Sequence, residues 1–279
     1  MSELPPETPT TPAADRPQPF ASGRRMDEAP GSRSYDLRFR VIYAGLAVVA
    51  VAAVASFAVL VAKPSHHTST PWSTWKPTSG TTTAMSAEIA QHVAHKYRLN
   101  AGGSQLVAII PSKPTVTSGT TNIAIKAIAI RGAAKSPNGI EVLGSNKTEM
   151  FNFCGLGLHC SIVGGKATTL RGRLIRREAL ELALYTFKYV SGIDSIIAFM
   201  PPQPGKDASA VLFLQKQDFK DALSRPLVQT LKLTEPPLPT QPDAAEGTTI
   251  DALTLPSLFS YELQALQTGG AALVLDHTT

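Results

Sequence analysis

The longest apolar run in the chain covers residues 41–62, where no side chain carries a formal charge at neutral pH. As a helix rising about 1.5 Å per residue, this run would be about 33 Å long, enough to cross a hydrocarbon core of about 30 Å. A cleaved signal peptide is the alternative, but its basic leader would be unusually long and the apolar run continues beyond Ala53-Val54-Ala55. We therefore predict one transmembrane helix over 41–62.

Beyond residue 84 the hydrophobic pattern alternates between helical and strand periods. It predicts a helix over 85–98, followed by strands over 105–110 and 122–131. In the second strand, Ile123 and Ile125 share one face but Ile128 and Ile130 share the other, so a bulge or burial on both faces is expected.

The strongest helical pattern covers residues 169–190, with a wide apolar arc and Glu178, Glu181 and Lys188 on the side expected to face solvent. Strands are predicted over 195–200 and 210–216, and a terminal hairpin turns at Thr268-Gly269-Gly270. Mixed strands and helices without regular crossovers indicate an α+β domain over 84–279.

The segments that flank the apolar run differ in composition. Residues 1–40 are rich in Pro, Ser, Thr and charged side chains and are predicted to be a disordered tail, while 63–83 are predicted to be an extended Pro/Ser/Thr-rich stalk. Arginines are concentrated before the run, so the positive-inside rule predicts a cytoplasmic N-terminus and an α+β domain outside the plasma membrane. Trp72 and Trp75 suit either the headgroup layer or packing on the domain.

Composition narrows the functional classes. The chain is 43% hydrophobic and 17% charged, with a net charge of +5. Residues 1–40 hold six arginines and six acidic side chains, so the excess lies in 63–279, the predicted stalk and outer domain together. This excess is too diffuse for the basic stripe that nucleic-acid binding requires.

Cys154 and Cys160 are the two cysteines, in the segment CGLGLHC. An oxidising compartment favours a structural disulfide between them, with Gly155 and Gly157 allowing the turn. Metal binding with His159 is the alternative, but it lacks a fourth ligand and a standard spacing.

Five cations precede or begin the helix over 169–190, at the end where the helix dipole is already positive. They either form a solvated face, with Arg177 and Glu181 paired four residues apart, or bind an anion with the free backbone N–H groups. The candidate anion-binding residues are Lys166, Arg171, Arg173, Arg176 and Arg177.

The segment RLIRREALELALYTFKYVSGIDS, with FCGLGLHC upstream, resembles a family of bacterial single-pass membrane-anchored proteins. The resemblance covers most of 85–276 and implies an outer α+β domain. That family has no assigned activity, so it implies no site residues.

The sequence shows no catalytic constellation, and no cofactor or metal is expected. We expect a membrane-anchored, non-enzymatic binding or scaffold protein of the cell envelope. Its expected partners are the lipid bilayer and an envelope protein or anionic envelope component. The amino-acid sequence does not indicate whether the chain forms oligomers. An envelope enzyme with residues that converge only in the fold is one alternative. A transmembrane receptor that signals through its N-terminal tail is another.

Overall fold

The computed structural model describes residues 42, 44–51, 53, 70–118, 120–132, 139–164, 166–241 and 245–277. The chain divides into two compact units, Met1–Thr68 and Ser69–Thr279. The second unit is the folded domain. The predicted tail over 1–40 lies outside the described residues.

The predicted transmembrane helix is wrong. Of residues 41–62 the structure describes 42, 44–51 and 53, all of them helical. Within the described part of the chain, no helix combines the length and the apolar character needed to cross a bilayer.

The domain is a mixed α+β fold. The predicted helices and strands are present, with bounds that differ by a few residues, and the structure adds elements that the pattern did not predict, among them β2, β4, β5 and α5 as numbered below. In chain order they are α1 Thr82–Ala94, β1 Ala108–Ser112, β2 Thr115–Ser118, β3 Thr121–Arg131, β4 Ile140–Gly144, β5 Thr148–Cys154, α2 Thr169–Tyr189, β6 Ser195–Phe199, β7 Ala210–Gln215, α3 Lys220–Ser224, α4 Leu227–Thr230, α5 Gly247–Thr254, β8 Leu258–Ala265 and β9 Ala271–His277.

The described strands form one curled sheet. Its order is β1-β5-β6-β7-β8-β9-β3-β2, and β4 pairs with the other half of β3. Two pairs, β5 with β6 and β3 with β9, are parallel, and the remaining pairs are antiparallel. The curl makes the sheet nearly closed and barrel-like, so it has an inner face and a helix-covered outer face.

A bulge in β3 explains the shifted isoleucine pattern. The pairing with β9 changes register between Ile125 and Ala127. Because the bulge inserts one residue, Ile125, Ile128 and Ile130 all reach the inner face. This confirms the predicted irregularity at this strand.

Two hydrophobic clusters lie on opposite sides of the sheet. The outer cluster packs α1 and α2 against outward-facing side chains such as Phe151, Ile196 and Leu212. The inner cluster fills the curl with residues of β3, β5, β6, β7, β8 and β9, among them Met150, Ile197 and Phe213. Because successive side chains of β5, β6 and β7 point to opposite faces of the sheet, each of these strands contributes to both clusters.

Residues 70–81, within the segment predicted as a stalk, pack on the helices. The Trp72 ring meets Tyr185 edge to face at 5.4 Å, and its Nε1 donates to the carbonyl of Ala222 at 3.3 Å. Trp75 stacks on His92 with ring centroids 3.8 Å apart. Of the two roles considered for the tryptophans, the structure shows packing on the domain.

Candidate functional site

The cations at the start of α2 are engaged in internal contacts. Arg171 is buried and donates to the carbonyls of Val163, at 2.9 Å, and Gly164. These bonds tie the loop before α2 to the first turn of the helix, whose N-cap, Thr168, accepts from the Arg171 N–H at 3.2 Å.

Arg173 and Arg176 share one acidic partner, Asp251 of α5. Nε of Arg173 lies 2.9 Å from Asp251 Oδ2, and Nη2 of Arg176 donates to Oδ1 of the same carboxylate. Arg176 also donates from Nε to the Thr254 hydroxyl at 3.1 Å. Hydrogen bonds from both guanidinium groups lower the pKa of Asp251 against the opposing effect of burial. The pair therefore fastens α5 to α2.

Arg177 lies at the centre of a buried charge network, with 1% of its side chain exposed. It donates to both Glu181, at 3.2 Å, and Glu246, and to the carbonyl of Leu233 at 2.6 Å. Lys96 bonds to the other oxygen of Glu181. Two cations and two carboxylates thus compensate each other, as burial of charge requires.

Tyr97 completes this network as both acceptor and donor. Its hydroxyl accepts from Arg177 at 2.5 Å and donates to Glu181 at 2.8 Å. Burial, reinforced by the charge of Glu181, raises the pKa of Tyr97 well above its ordinary range. The hydroxyl therefore stays protonated and keeps its donor role at physiological pH.

Glu178 is the exception among the charged residues of α2. It is fully buried, and both carboxyl oxygens are without a hydrogen-bond partner in the described part of the protein. Burial, and secondarily the charge of Glu181, raises the pKa of Glu178 well above its ordinary range. This environment therefore favours the neutral form of the carboxyl.

The placement of Glu178 and Glu181 on the solvent side of α2 is wrong, because both side chains are buried. Tyr97 and Glu246, which the sequence pattern did not indicate as site residues, pack over this side of α2. Tyr97 bonds to Glu181, and Glu246 bonds to Arg177. A local signal did exist for Glu178: its helical neighbours Leu174, Ile175 and Leu182 are all apolar.

The five candidate anion-binding residues thus separate into two groups. Arg171, Arg173, Arg176 and Arg177 bond to protein acceptors, whereas Lys166 is exposed beside the start of α2. The predicted pairing of Arg177 with Glu181 is present. Anion binding at this helix end stays a prediction, with Lys166 as its most accessible cation.

The segment between the cysteines forms a second candidate site, here called the disulfide loop (residues 154–163). Cys154 and Cys160 are bonded to each other, with Cα atoms 4.3 Å apart, as predicted. This bond removes both thiolates that metal binding with His159 would need. Among the described residues, no group of three or more His, Cys, Asp or Glu side chains could hold a metal.

Backbone hydrogen bonds fold the disulfide loop back on itself. The Gly155 N–H donates to the Cys160 carbonyl at 2.8 Å, and the Gly157 N–H donates to the Ser161 carbonyl at 2.9 Å. The N–H of Ile162 donates to Pro202 at 2.9 Å and fixes the loop to the segment after β6. The loop is therefore held by both covalent and hydrogen bonds.

Gly155 and Gly157 were expected to allow a sharp turn, but in the structure they allow two backbone segments to lie close together. A Cβ on Gly155 would lie 2.5 Å from the Ser161 carbonyl oxygen, and one on Gly157 would lie 2.7 Å from the same atom. Both glycines are therefore required for close approach of the backbone. The left-handed positions fall instead on Leu156, with φ 66°, His159, with φ 52°, and Cys160, with φ 59°.

The loop presents apolar side chains to solvent. Leu158 is 85% exposed, Leu156 47% and Val163 43%. A left-handed conformation at a non-glycine residue costs about 1–2 kcal/mol. Consecutive non-glycine residues adopt it only when the surrounding structure imposes it. The disulfide loop therefore combines three left-handed non-glycine residues with exposed apolar side chains.

No family model matches the chain, and no curated protein or solved structure compared with it shows significant similarity. The chemistry of the described residues is therefore the basis for a functional proposal.

Proposed function

We propose that this protein is a non-enzymatic binding domain that contacts a partner protein through the apolar side of its disulfide loop. The observation that carries the proposal is the conjunction of three left-handed non-glycine residues with a leucine that is 85% exposed at the tip of the same loop. The left-handed residues lower stability and the exposed leucine gains no burial, so a partner that covers Leu158 would offset the cost of the strained backbone.

The loop is well suited to binding because its conformation is fixed in advance. The disulfide and the three backbone bonds described above restrict the segment in the free protein. A partner then loses little free energy in ordering the loop, and more of the apolar contact contributes to affinity. Leu156, Leu158 and Val163 would form the centre of the contact, where binding energy is concentrated.

The disulfide also supports a location for the domain. Disulfides persist in oxidising compartments and are rare where thiols are kept reduced. This supports a domain outside the cytoplasm, as part of the cell envelope or beyond it. The membrane anchor inferred from the sequence is not part of this proposal.

Site-specific photo-crosslinking tests the proposal in the full-length protein, made in the cells that produce it. A benzoylphenylalanine replaces Leu158 in one variant and Leu255, a leucine 49% exposed outside the loop, in the other. We expect a discrete protein adduct from position 158 that is absent from position 255. Identical adducts at both positions, or none at position 158, would contradict the proposal.

A second measurement separates direct contact from mere proximity. Leu158→Ser should weaken the affinity for the partner that crosslinking identifies by about tenfold or more, because a central apolar contact is lost. Leu255→Ser should leave that affinity unchanged. Cys154→Ser with Cys160→Ser should also weaken binding, because the loop is no longer constrained. Unchanged affinity in Leu158→Ser would show that the leucine is not the contact.

A further inference from the structure

A cavity of about 390 Å³ lies at one mouth of the barrel-like sheet, behind the disulfide loop. It is here called the mouth cavity. Strands β2, β5, β6 and β8 supply its walls, and the disulfide loop and the segment after β6 border it. Its main lining side chains are Val116, Asn152, His159, Phe199, Tyr261 and Leu263. The mouths of barrels are frequent locations of small-molecule sites, and this volume lies in their usual range.

The floor of the mouth cavity is aromatic. The rings of Phe199 and Tyr261 meet edge to face with centroids 4.9 Å apart. Both rings are half-buried and rest on the inner cluster, so one part of each is packed and another part faces the cavity. A further flat ring placed on them would gain aromatic contact in addition to burial of apolar surface.

Three polar side chains line this mainly apolar cavity, two of them half-buried and the third, His159, exposed. The Asn152 amide, the His159 imidazole and the Tyr261 hydroxyl have no hydrogen-bond partner within the described portion of the chain. Asn152 and Tyr261 are half-buried, so their access to water is restricted. A few unpaired polar groups in a mainly apolar cavity are the arrangement that orients a ligand.

The electrostatics of the mouth cavity disfavour an anion. Among the described side chains that line it, none is Lys or Arg. Burial, and secondarily the charge of Asp207, raises the pKa of Tyr261, so its hydroxyl remains a donor. A negatively charged ligand would lose hydration here without gaining a Lys or Arg partner.

We propose that the mouth cavity binds a small, neutral aromatic molecule with one hydroxyl or amide group. Its ring lies against Phe199 and Tyr261, and its polar group bonds to Asn152 and the Tyr261 hydroxyl. This site faces the interior of the sheet and is separate from the partner contact proposed for Leu158, so each can fail without the other.

Two matched alcohols test this inference with the full-length protein. Benzyl alcohol and cyclohexylmethanol carry the same hydroxymethyl group on an aromatic and a saturated ring. Their binding is followed by the NMR shifts of the Asn152 side-chain amide and of backbone amides around the cavity. We expect saturable shifts with benzyl alcohol and clearly weaker binding of cyclohexylmethanol. Decanoate serves as the acyl-chain probe and is expected not to bind.

Tyr261→Phe keeps the ring and removes only the hydroxyl, so binding of benzyl alcohol should become about threefold to tenfold weaker. Tyr189→Phe, whose hydroxyl lies 2.9 Å from Ser73 on the helical side, is the matched control and should bind normally. Leu158→Ser should also bind benzyl alcohol normally.

Equal binding of both alcohols would overturn the aromatic specificity, and preference for decanoate would indicate an acyl-chain site instead. Absence of shifts near Asn152 with any probe would overturn the site itself. Unchanged affinity in Tyr261→Phe would remove the assigned hydrogen bond.

Discussion

Glu178→Gln should change how the stability of this protein depends on pH. In the folded domain Glu178 is fully buried without a hydrogen-bond partner among the described residues, and burial raises its pKa well above the ordinary range. In the unfolded chain the same carboxyl has an ordinary pKa of about 4.3. At a pH between these two pKa values, folding is coupled to proton uptake by this group, and that uptake costs free energy.

The sign follows from the raised folded-state pKa. The contribution of Glu178 is fully favourable below the unfolded-state pKa and is progressively lost as pH rises toward the folded-state value. Within that window each pH unit costs about 1.4 kcal/mol in the free energy of unfolding. Glutamine does not titrate, so the variant should lack this loss. Its free energy of unfolding should therefore rise relative to that of the wild type by about 1.4 kcal/mol for each pH unit within the window.

Urea unfolding at pH 5, 6 and 7 measures the effect. The signal is the fluorescence of Trp72 and Trp75, which pack on α2. Glu235→Gln, at an exposed loop position, is the control and should leave the pH slope of the wild type unchanged. Parallel pH profiles for the wild type and Glu178→Gln would refute the reasoning, because they would show that Glu178 binds the same number of protons before and after unfolding.

Arg177→Gln should lower the free energy of unfolding by about 3–5 kcal/mol in the same assay, because it leaves the buried Glu246 carboxylate without its cation. A loss below about 1 kcal/mol would show that the network is replaceable. Gly155→Ala should destabilise the disulfide loop, since the added Cβ would lie 2.5 Å from the Ser161 carbonyl oxygen. Gly80→Ala, with no atom within 4 Å of its Cβ, is the control, and equal melting temperatures would contradict the close-approach explanation.

Features that depend on residues close in sequence were predictable. The helix expected over 169–190 is α2, Thr169–Tyr189, because Thr168 caps its start and apolar residues recur at helical spacing. The bulge in β3 was visible as a shift of apolar phase, and the hairpin turn at Gly269-Gly270 was visible in composition. The disulfide followed from two nearby cysteines and a glycine-containing segment.

The membrane prediction shows where a local signal is insufficient. The absence of charge over 41–62 measures average polarity, and it does not determine the extent of a helix. Among the described residues, no helix has both the length and the apolar character that crossing a bilayer requires.

The candidate sites depended on contacts that no local pattern contains. Arg177 meets Glu246 across 69 residues of sequence, and Tyr97 meets Glu181 across 84. Periodicity assigns a charged residue to the solvent side by default, since an unpaired buried charge is costly. That default fails on α2 because distant segments supply compensating charges and cover the helix.

The sequence by itself determined the mixed α+β class, the extent of α2 and the cysteine pair, because each rests on propensity, periodicity or proximity along the chain. The tertiary structure alone decided the parallel pairing of β3 with β9, which joins residues far apart in sequence and brings β2 and β3 into the same sheet as β5, β6 and β8. The curl of this sheet places Asn152 and Tyr261 around the mouth cavity. The tertiary structure also decided which charges are buried, because the desolvation of a side chain depends on every segment that packs around it.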